Sequence, residues 1–286
     1  MGKLDGKVAL IAGGLGRFKK EEYKPGLSTY IAQNFIAEGA DVVIVDLDEK
    51  VTKACVDYIG SPKVKGKACD IMKDRTYETK TYETERGPKT EVVWTDNPAL
   101  TVVNEIVEEF GKLDALVLNF DYYEKGRIES VTEETYNMLR DRNITPVFHF
   151  LAAVREQFSA QKKTTGNFAK IVILTSMVGK SGLETAAVYS AFKGSIVGLT
   201  KTMCREFGRF ANVNSVAIGP LSVKNMQGPK DRVKGKFLVT RSDMSNIELK
   251  PNHVTPLVTL LSSDDAAAIS GQTLSIDGGL WLKLEQ

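Results

Sequence analysis

Residues 171–193 read I-V-I-L-T-S-M-V-G-K-S-G-L-E-T-A-A-V-Y-S-A-F-K, and they join a strand pattern to a helix pattern. The opening apolar run, rich in β-branched residues, is typical of a fully buried strand, and Ser176 stands at its end. After a loop that contains glycine, Tyr189 and Lys193 follow four residues apart in a segment with helical periodicity. At that spacing two side chains share one face of a helix, one turn apart.

These three polar residues suggest acid–base chemistry. An ammonium one turn from a phenol favours the phenolate, so we expect Lys193 to lower the pKa of Tyr189. We expect the hydroxyl of Ser176 to hold a substrate oxygen beside that phenol, which predicts proton transfer to or from an alcohol or ketone. Taken alone, the Tyr–Lys pair is better explained as a solvated pair on a helix. The strand and the serine before it favour the site.

Composition limits the kinds of protein that this chain can be. Its 286 residues, 42% of them apolar, suffice for one large domain or two small ones. The net charge of +2 offers no electrostatic case for nucleic acid or a membrane surface. No apolar run reaches the roughly 20 residues of a membrane span, and no signal-peptide core is present. The three cysteines and two histidines lack disulfide or metal spacing, so we expect a reduced, cytoplasmic protein without a metal site.

The N-terminal part of the chain predicts a β-α-β unit with a glycine-rich first turn. An apolar strand precedes Gly13 and Gly14, a helix-like segment begins near Gly26, and a second strand ends at Asp46. Such a turn holds a pyrophosphate at the helix N-terminus, and an acid about 20 residues further on binds a ribose hydroxyl. A carboxylate at Asp46 favours NAD over NADP, because it would repel a 2′-phosphate.

A stretch of nine residues, R-F-K-K-E-E-Y-K-P at 17–25, separates Gly16 from Gly26. A pyrophosphate turn needs its glycines close together, so that the backbone can approach the phosphates. One interpretation is a longer loop that still cradles phosphate with the help of its lysines. The other is a loop that fills the pocket, so that no cofactor binds.

Strands and helices alternate along the rest of the chain. Further strands are predicted at 64–71, 113–119 and 213–218, and a last one at Q-T-L-S-I-D near the C-terminus. This alternation predicts an α/β fold with a parallel sheet covered by helices on both faces. No Pro/Gly/Ser linker divides the chain, so we expect one domain over 1–286, with insertions near 17–25 and 74–95.

Two segments leave the α/β pattern. Residues 76–95 alternate polar residues and β-formers around Gly87-Pro88, which predicts a hairpin. It is either surface decoration, the favoured interpretation, or an arm that contacts a partner. Residues 222–250 are loop-rich and basic, which indicates a solvated lid or a segment that holds a phosphate-bearing substrate such as an acyl-CoA.

Ser176, Tyr189 and Lys193, in this order and spacing and with Asn143 upstream, resemble the short-chain dehydrogenase/reductase family. The start K-V-A-L-I, the segment G-L-T-K-T at 198–202 and the ending S-G-Q-T-L-S-I-D-G-G at 270–279 match it as well. The resemblance covers nearly the whole chain apart from the two insertions. It implies a Rossmann-like, doubly wound and mostly parallel sheet of seven strands.

The resemblance also implies a role for each site residue. Tyr189 would be the acid/base toward the substrate oxygen, and Lys193 would lower its pKa and bind the nicotinamide ribose. Ser176 would position the carbonyl or alcohol, and Asn143 would hold a water of the proton relay. Asp46 would bind the adenosine ribose of NAD. The expected cofactor-binding residues are Gly13, Gly14, Gly26, Asp46, Asp70, Ile71, Asn119 and Gly219, with Asp70 and Ile71 beside the adenine.

Several cofactor motifs of the family are altered here. Its N-N-A-G element appears as Leu118-Asn119-Phe120-Asp121, and its P-G after the sixth strand appears as Ile218-Gly219. Val223 stands where a threonine would meet the nicotinamide carboxamide. Phe120 is therefore expected to narrow the pocket, and Asp121 to repel pyrophosphate.

Two functions follow from this mixture of retained and altered motifs. The first is NAD-dependent interconversion of a secondary alcohol and a ketone, with a hydroxyacyl-CoA among the candidate substrates, by this chain alone or within a hetero-oligomer. The alternative is a cofactor-free, catalytically inactive subunit that supports an active homologous dehydrogenase subunit. In the family, helices matching 132–160 and 189–207 pack across the dimer interface, and a homo- or hetero-tetramer is expected under either function.

Overall fold

A computed structural model describes residues 2–71, 76–85, 87–221 and 248–280. Its centre is a seven-stranded sheet whose paired strands all run parallel. The strands of the described chain are β1 (Val8–Ala12), β2 (Gly16–Lys19), β3 (Glu22–Pro25), β4 (Asp41–Asp46), β5 (Val64–Ala68), β6 (Thr76–Tyr82), β7 (Lys89–Asp96), β8 (Ala115–Leu118), β9 (Ala169–Ser176), β10 (Ala211–Ile218) and β11 (Thr273–Ile276).

Helices connect the strands of this sheet. They are α1 (Leu27–Ala37), α2 (Glu49–Ile59), α3 (Pro98–Phe110), α4 (Glu133–Asn143), α5 (Thr145–Thr165), α6 (Val178–Ser181), α7 (Ala187–Phe207) and α8 (Pro251–Ser262), with short 3₁₀ turns at Ile128–Ser130 and Asp264–Ala266. Among these described helices none is long and apolar enough to cross a bilayer.

The order of strands in the sheet is β11-β10-β9-β8-β1-β4-β5. From β1 the chain builds outward through β4 and β5, and then returns to place β8 on the other side of β1. The strand order therefore reverses between β1 and β8, and in open α/β sheets ligands bind at such a point. The predicted Rossmann-like sheet of seven parallel strands is confirmed.

The central strands are apolar on both sides because helices cover both faces of the sheet. In β1, Leu10 belongs to a core that includes Phe150 of α5, whereas its neighbour Ile11 belongs to a second core that includes Phe35 of α1. Burial of strand side chains on alternate faces fixes the register, because a one-residue slip would exchange the two sets.

The predicted long amphipathic segment 132–160 is two helices. The α4 helix ends at Asn143 and α5 begins at Thr145, with Ile144 between them at φ −118° and ψ −39°. Pro146 occupies the first turn of α5, where its missing N–H costs no hydrogen bond. The break therefore places Asn143 at the junction of two helices.

The predicted hairpin over 76–95 is confirmed as the antiparallel pair β6–β7. Side chains of β6 are exposed along its whole length. The register pairs Thr79 with Val92 and Thr81 with Thr90. The predicted basic lid lies for the most part outside the described residues, as does Val223.

The insertion at 17–25, expected as an irregular loop, forms a second antiparallel hairpin, β2–β3. Lys20 and Glu21 form its tip at φ 49° and 62°, a left-handed turn that glycine or asparagine usually supplies. Because the two strands pair, the chain returns to its starting point, and the amide of Gly26 donates to the carbonyl of Leu15 at 2.7 Å. The glycine turn is therefore closed in space although it is interrupted in sequence.

Tyr23 fastens this hairpin to the first turn of α1. Its hydroxyl donates to the carbonyl of Leu15 at 2.7 Å and lies 2.9 Å from Oγ1 of Thr29. Its ring packs edge-on against Tyr58 of α2, with centroids 5.8 Å apart. Burial, followed by a hydrogen bond to Cys55, raises the pKa of the Tyr23 phenol, so it remains a neutral donor.

We expect Tyr23→Phe to lower the free energy of unfolding by about 1 kcal/mol, because a partly buried hydroxyl and the carbonyl that it serves lose their hydrogen bond. Tyr136→Phe is the matched control, since that ring is 40% exposed. The control should change stability by less than about 0.5 kcal/mol. Urea denaturation at pH 7 measures both, and equal losses in the two variants would contradict the anchoring role of Tyr23.

Candidate active site

The predicted site residues gather at the carboxyl ends of the parallel strands. Ser176 ends β9, Asp46 ends β4, and Asn119 directly follows β8. Gly13 follows β1, and its amide donates to the carbonyl of Val45 at 2.8 Å. These residues therefore surround the point where the strand order reverses, as the sequence predicts.

Tyr189 lies in the first turn of α7 and is 5% exposed. The ring of Tyr123 meets it edge-on with centroids 5.1 Å apart, and Leu139 and Ala186 complete a small apolar cluster around it. The phenol donates its hydrogen bond to Oδ1 of Asp121 at 2.7 Å.

Lys193 lies one turn further along α7, and its side chain is 2% exposed. Its ammonium donates to the carbonyl of Phe120 at 2.6 Å and lies 2.9 Å from Oδ1 of Asp121. The same carboxylate oxygen therefore meets both Tyr189 and Lys193. A charged donor and a neutral donor on one oxygen form a strong, charge-assisted contact.

The prediction that Lys193 lowers the pKa of Tyr189 is wrong. Burial raises the pKa of the phenol well above its ordinary value, and the charge and hydrogen bond of Asp121 raise it further. A hydrogen bond from Ser176 opposes this shift but does not reverse it. The carboxylate of Asp121 separates the phenol electrostatically from the ammonium, and the phenol remains protonated.

Asp121 is itself held ionised. Burial alone would raise its pKa, but the charge of Lys193 and the hydrogen bonds from Lys193 and Tyr189 bring that pKa below its usual range. Its side chain is 45% exposed, which leaves it open to the cleft beside it. The sequence predicted a carboxylate that repels pyrophosphate, whereas the structure shows one bonded to the acid–base pair.

Asn143 fixes the loop that carries Asp121. Its Oδ1 accepts the amide of Tyr122 at 3.0 Å, and its Nδ2 donates to the carbonyls of Tyr122 at 2.8 Å and Leu139 at 2.9 Å. Its side chain is therefore engaged with the backbone directly after Asp121. Ser176 ends β9, where its hydroxyl lowers the pKa of Tyr189 and accepts the amide of Val178 at 3.4 Å.

A cleft of about 500 Å³ opens beside this cluster. It brings together five of the eight predicted cofactor residues, but Ser176, Tyr189 and Lys193 are absent from its wall. The cleft is lined by Gly13, Gly14, Asp46, Leu47, Ile71, Asn119, Phe120, Asp121, Tyr122, Met138, Asp141, Arg142 and Pro146. Asp121 is therefore the member of the Asp121–Tyr189–Lys193 cluster that lines this cleft.

The other three predicted cofactor residues lie outside this lining. Gly26 precedes α1, and Gly219 follows β10 in close contact with Asp277, where a Cβ would approach Cα of Asp277 to 2.9 Å. Asp70 is exposed next to Ile71. Both Gly26 and Gly219 serve close backbone packing here.

The N-terminal end of α1, where the sequence predicts a phosphate site, is partly occupied by the chain itself. The amides of Gly26 and Ser28 donate to the carbonyls of Leu15 and Gly14 at 2.7 and 3.1 Å. Asn119 donates from Nδ2 to the hydroxyl of Ser28 at 3.0 Å. These internal bonds use two of the amides that a helix N-terminus offers to an anion.

Phe120 covers the start of the glycine turn. A Cβ built on Gly13 would come within 2.8 Å of the Phe120 ring, so the two residues pack without a gap. The ring also stacks on Phe150, with centroids 6.1 Å apart and planes 18° apart. The predicted narrowing by Phe120 therefore has a structural basis.

Comparison with known proteins identifies the family. A family model described as enoyl-(acyl carrier protein) reductase matches residues 93–281. Short-chain dehydrogenase reductase 3c of Arabidopsis thaliana is 30% identical over 285 residues, covering 97% of this chain and 95% of the relative. The 3-oxoacyl-(acyl-carrier-protein) reductase of Vibrio cholerae is 27% identical over 282 residues, covering 98% and 99%.

A similar solved structure is the 3-ketoacyl-(acyl-carrier-protein) reductase of Brucella melitensis complexed with NADH. It matches with a TM-score of 0.77 and 23% identity over 97% of this chain and 99% of that one, a likeness of fold. Together these matches show that the chain belongs to the short-chain dehydrogenase/reductase family, whose members are oxidoreductases.

The residues present fit one end of the dinucleotide that the family implies and not the other. Asp46, Ile71 and Asn119 line an open cleft that suits an adenosine. At the nicotinamide end, the ammonium that should meet a ribose hydroxyl is bonded to Phe120 and Asp121. The contact with Asp121 thus engages the ammonium that the resemblance assigns to the nicotinamide ribose.

We expect Asp121→Asn to lower the free energy of unfolding by about 1–2 kcal/mol at pH 7, since a charge-assisted contact with a half-exposed carboxylate is lost. The folded-state pKa of Asp121 is depressed, so its stabilisation is present above the unfolded pKa near 3.9 and lost as pH falls through the folded value. The free energies of unfolding of the unchanged chain and of Asp121→Asn should therefore converge as the pH falls.

Asp57→Asn is the matched control for this comparison, because Asp57 forms an exposed pair with Lys53 one turn away on α2. It should cost about 0.5 kcal/mol or less. Urea titrations between pH 3 and pH 7, an interval set by the carboxyl pKa range, measure all three proteins. A stability gap for Asp121→Asn that is small or independent of pH would contradict the contact.

Proposed function

We propose that this chain is a non-catalytic subunit with the short-chain dehydrogenase fold, which supports a homologous, active dehydrogenase subunit. One observation carries the proposal: Oδ1 of Asp121 accepts the proton of Tyr189 and pairs with the ammonium of Lys193. Tyr189 and Lys193, to which the resemblance assigns the acid–base chemistry, are both bonded to this one carboxylate oxygen. The proton of Tyr189 and two of the three N–H donors of Lys193 are engaged within the chain.

The position of the proton supports this proposal. A general acid or base must lie within hydrogen-bond reach of the substrate atom and must titrate near the working pH. The hydrogen of Tyr189 points to Asp121, and the pKa of the phenol is raised by burial and by that carboxylate. Both features oppose donation to a substrate oxygen and formation of a phenolate.

The surface supports assembly into a homo- or hetero-tetramer with other subunits of the family. The ring of Phe148 on α5 is 50% exposed, and that of Tyr136 on α4 is 40% exposed. Tyr136 packs against Phe192 of α7, and this contact joins α4 and α7 into one partly apolar surface. In such an assembly in the cytoplasm, this chain would supply packing surface to its active partner.

The second candidate is an NAD-dependent dehydrogenase that interconverts a secondary alcohol and a ketone. The position of Ser176 beside Tyr189, and of Asp46 in the cleft, favours it. The acyl-carrier-protein reductases among the relatives make a hydroxyacyl thioester, such as a hydroxyacyl-CoA, the favoured small-molecule substrate class under this candidate. It requires that Asp121 leave both of its partners.

Titration of the isolated chain with NADH, followed by cofactor fluorescence, separates the two candidates. The non-catalytic function predicts no saturable binding at millimolar NADH. Asp121→Ala should gain saturable binding, because it frees Lys193 and removes a negative charge. Asp57→Ala, on the exposed face of α2, should behave as the unchanged chain does.

Turnover of short secondary alcohols with NAD completes this test. Saturable NADH binding together with NAD reduction by the unchanged chain would overturn the non-catalytic proposal and establish the dehydrogenase. In that case Tyr189→Phe should abolish turnover and leave binding nearly unchanged, as expected of an acid–base residue.

A further inference from the structure

The β6–β7 hairpin carries a strand edge that is open to a partner. Within the described part of the chain, β6 pairs only with β7, and every residue of β6 from Thr76 to Tyr82 is exposed. Such an edge offers backbone donors and acceptors to another strand. We propose that it pairs with the same edge of a second copy of this chain, with the two β6 strands antiparallel about a two-fold axis at Thr79. This assembly goes beyond the proposed function and does not depend on it.

The hydrogen bonds at the turn decide which residues of β6 face the open edge. Thr84 and Gly87 exchange both of their backbone hydrogen bonds, at 3.2 and 2.9 Å, and so form a hydrogen-bonded pair. The register of β6–β7 runs on from this pair without a shift as far as Tyr77. Because hydrogen-bonded pairs alternate along an antiparallel ladder, the even-numbered residues of β6 direct their backbone groups to β7. The odd-numbered residues Tyr77, Thr79 and Thr81 therefore direct theirs to the open edge.

The charges of β6 are self-complementary about Thr79. The strand reads T-Y-E-T-K-T-Y at 76–82, with Glu78 and Lys80 on either side of Thr79. When two copies pair antiparallel about Thr79, Glu78 of each copy lies opposite Lys80 of the other. These are the positions of the new ladder that are not hydrogen-bonded, where side chains on opposite strands come closest. Opposite charges at such positions favour the pairing.

The same two charges oppose the neighbouring registers. Only the odd-numbered residues present backbone groups to the edge, so the next possible registers move the axis from Thr79 to Glu78 or to Lys80. An axis at Glu78 places two carboxylates opposite each other, and an axis at Lys80 does the same with two ammonium groups. Like charges directly opposite destabilise a sheet. The charges thus specify a register that a strand with polar residues on both faces would otherwise leave open.

The rest of the strand also fits a second copy. In this register Thr79 lies opposite Thr79 of the other copy, and Tyr77 lies opposite Thr81. Pairs of threonines, and pairs of an aromatic with a β-branched residue, are among the cross-strand pairs that stabilise sheets. The side chain of Tyr77 is 57% exposed in the single chain, so pairing would cover part of it. Charge and side-chain type therefore both indicate a second copy of this chain as the partner.

Disulfide cross-linking of the full chain reads this register directly. In the proposed pair the Cα atoms of the two copies of Thr79 lie about 5.5 Å apart, within the reach of a disulfide. Thr79→Cys should therefore form a covalent dimer in the presence of oxidised glutathione. Thr81→Cys is the matched control on the same strand, because its two copies lie four strand steps apart, about 14 Å. It should form no more covalent dimer than the unchanged chain does.

Charge reversal separates pairing from the reactivity of the thiol. In the Thr79→Cys chain, Glu78→Lys and Lys80→Glu should each slow cross-linking about fivefold, because both ion pairs become like-charge pairs. The two changes alter the charge beside the thiol in opposite directions, so altered thiol reactivity would not slow both. Both reversals together restore two ion pairs, and cross-linking should return to the rate of Thr79→Cys alone.

Three results would overturn the inference: no covalent dimer of Thr79→Cys, equal cross-linking of Thr79→Cys and Thr81→Cys, or a double reversal that stays as slow as the single ones. A hairpin that pairs with a different subunit would give the first result. The non-catalytic function is decided separately by NADH binding and turnover, so it can fail or stand whatever the hairpin does.

Discussion

The carboxylate of Asp121 joins the two side chains on which the chemistry of this family depends. One of its oxygen atoms accepts a hydrogen bond from Tyr189 and also forms an ion pair with Lys193. The contacts raise the pKa of the phenol and lower the pKa of the carboxyl, so a protonated Tyr189 faces an ionised Asp121. Asn143 holds the loop that carries this carboxylate, through hydrogen bonds with the backbone of Tyr122.

The structure also keeps the glycine turn closed although the sequence interrupts it. The β2–β3 hairpin carries nine extra residues away from the glycine turn and returns them to it, held by Tyr23. The strand order, and the cleft at its reversal, therefore survive an insertion in the middle of the pyrophosphate turn. A fold tolerates such an insertion because a paired hairpin brings its ends together, so the turn that it interrupts closes as before.

Much of the fold could be predicted from the sequence, because periodicity reports burial directly. The seven strands of the central sheet and most of the helices between them lie where the patterns indicate, and the 76–95 hairpin pairs as its alternation predicts. The hairpin at 17–25 could not be predicted from its turn. Lys20 and Glu21 adopt a left-handed conformation that neither residue type favours, and the tertiary anchor at Tyr23 helps to compensate for it.

The sequence predicted that Ser176, Tyr189 and Lys193 lie together, but not that a carboxylate would set their charge interactions. Spacing placed Ser176, Tyr189 and Lys193 together, since helix and strand geometry determine which residues meet. The partner of that pair, Asp121, comes from a loop after β8, and no local pattern states where a loop side chain points. The sequence does show a carboxylate, Asp121, where the family has a small residue. The direction of that side chain depends on its contact with Tyr189, which lies 68 residues further along the chain.

A double-mutant cycle between Asp121→Ala and Tyr189→Phe tests the central contact most directly. Free energies of unfolding of the two single variants, the double variant and the unchanged chain give the coupling between the carboxylate and the phenol. The structure predicts a favourable coupling of about 1 kcal/mol or more at pH 7. A coupling below about 0.3 kcal/mol, within the additivity of independent sites, would contradict the account.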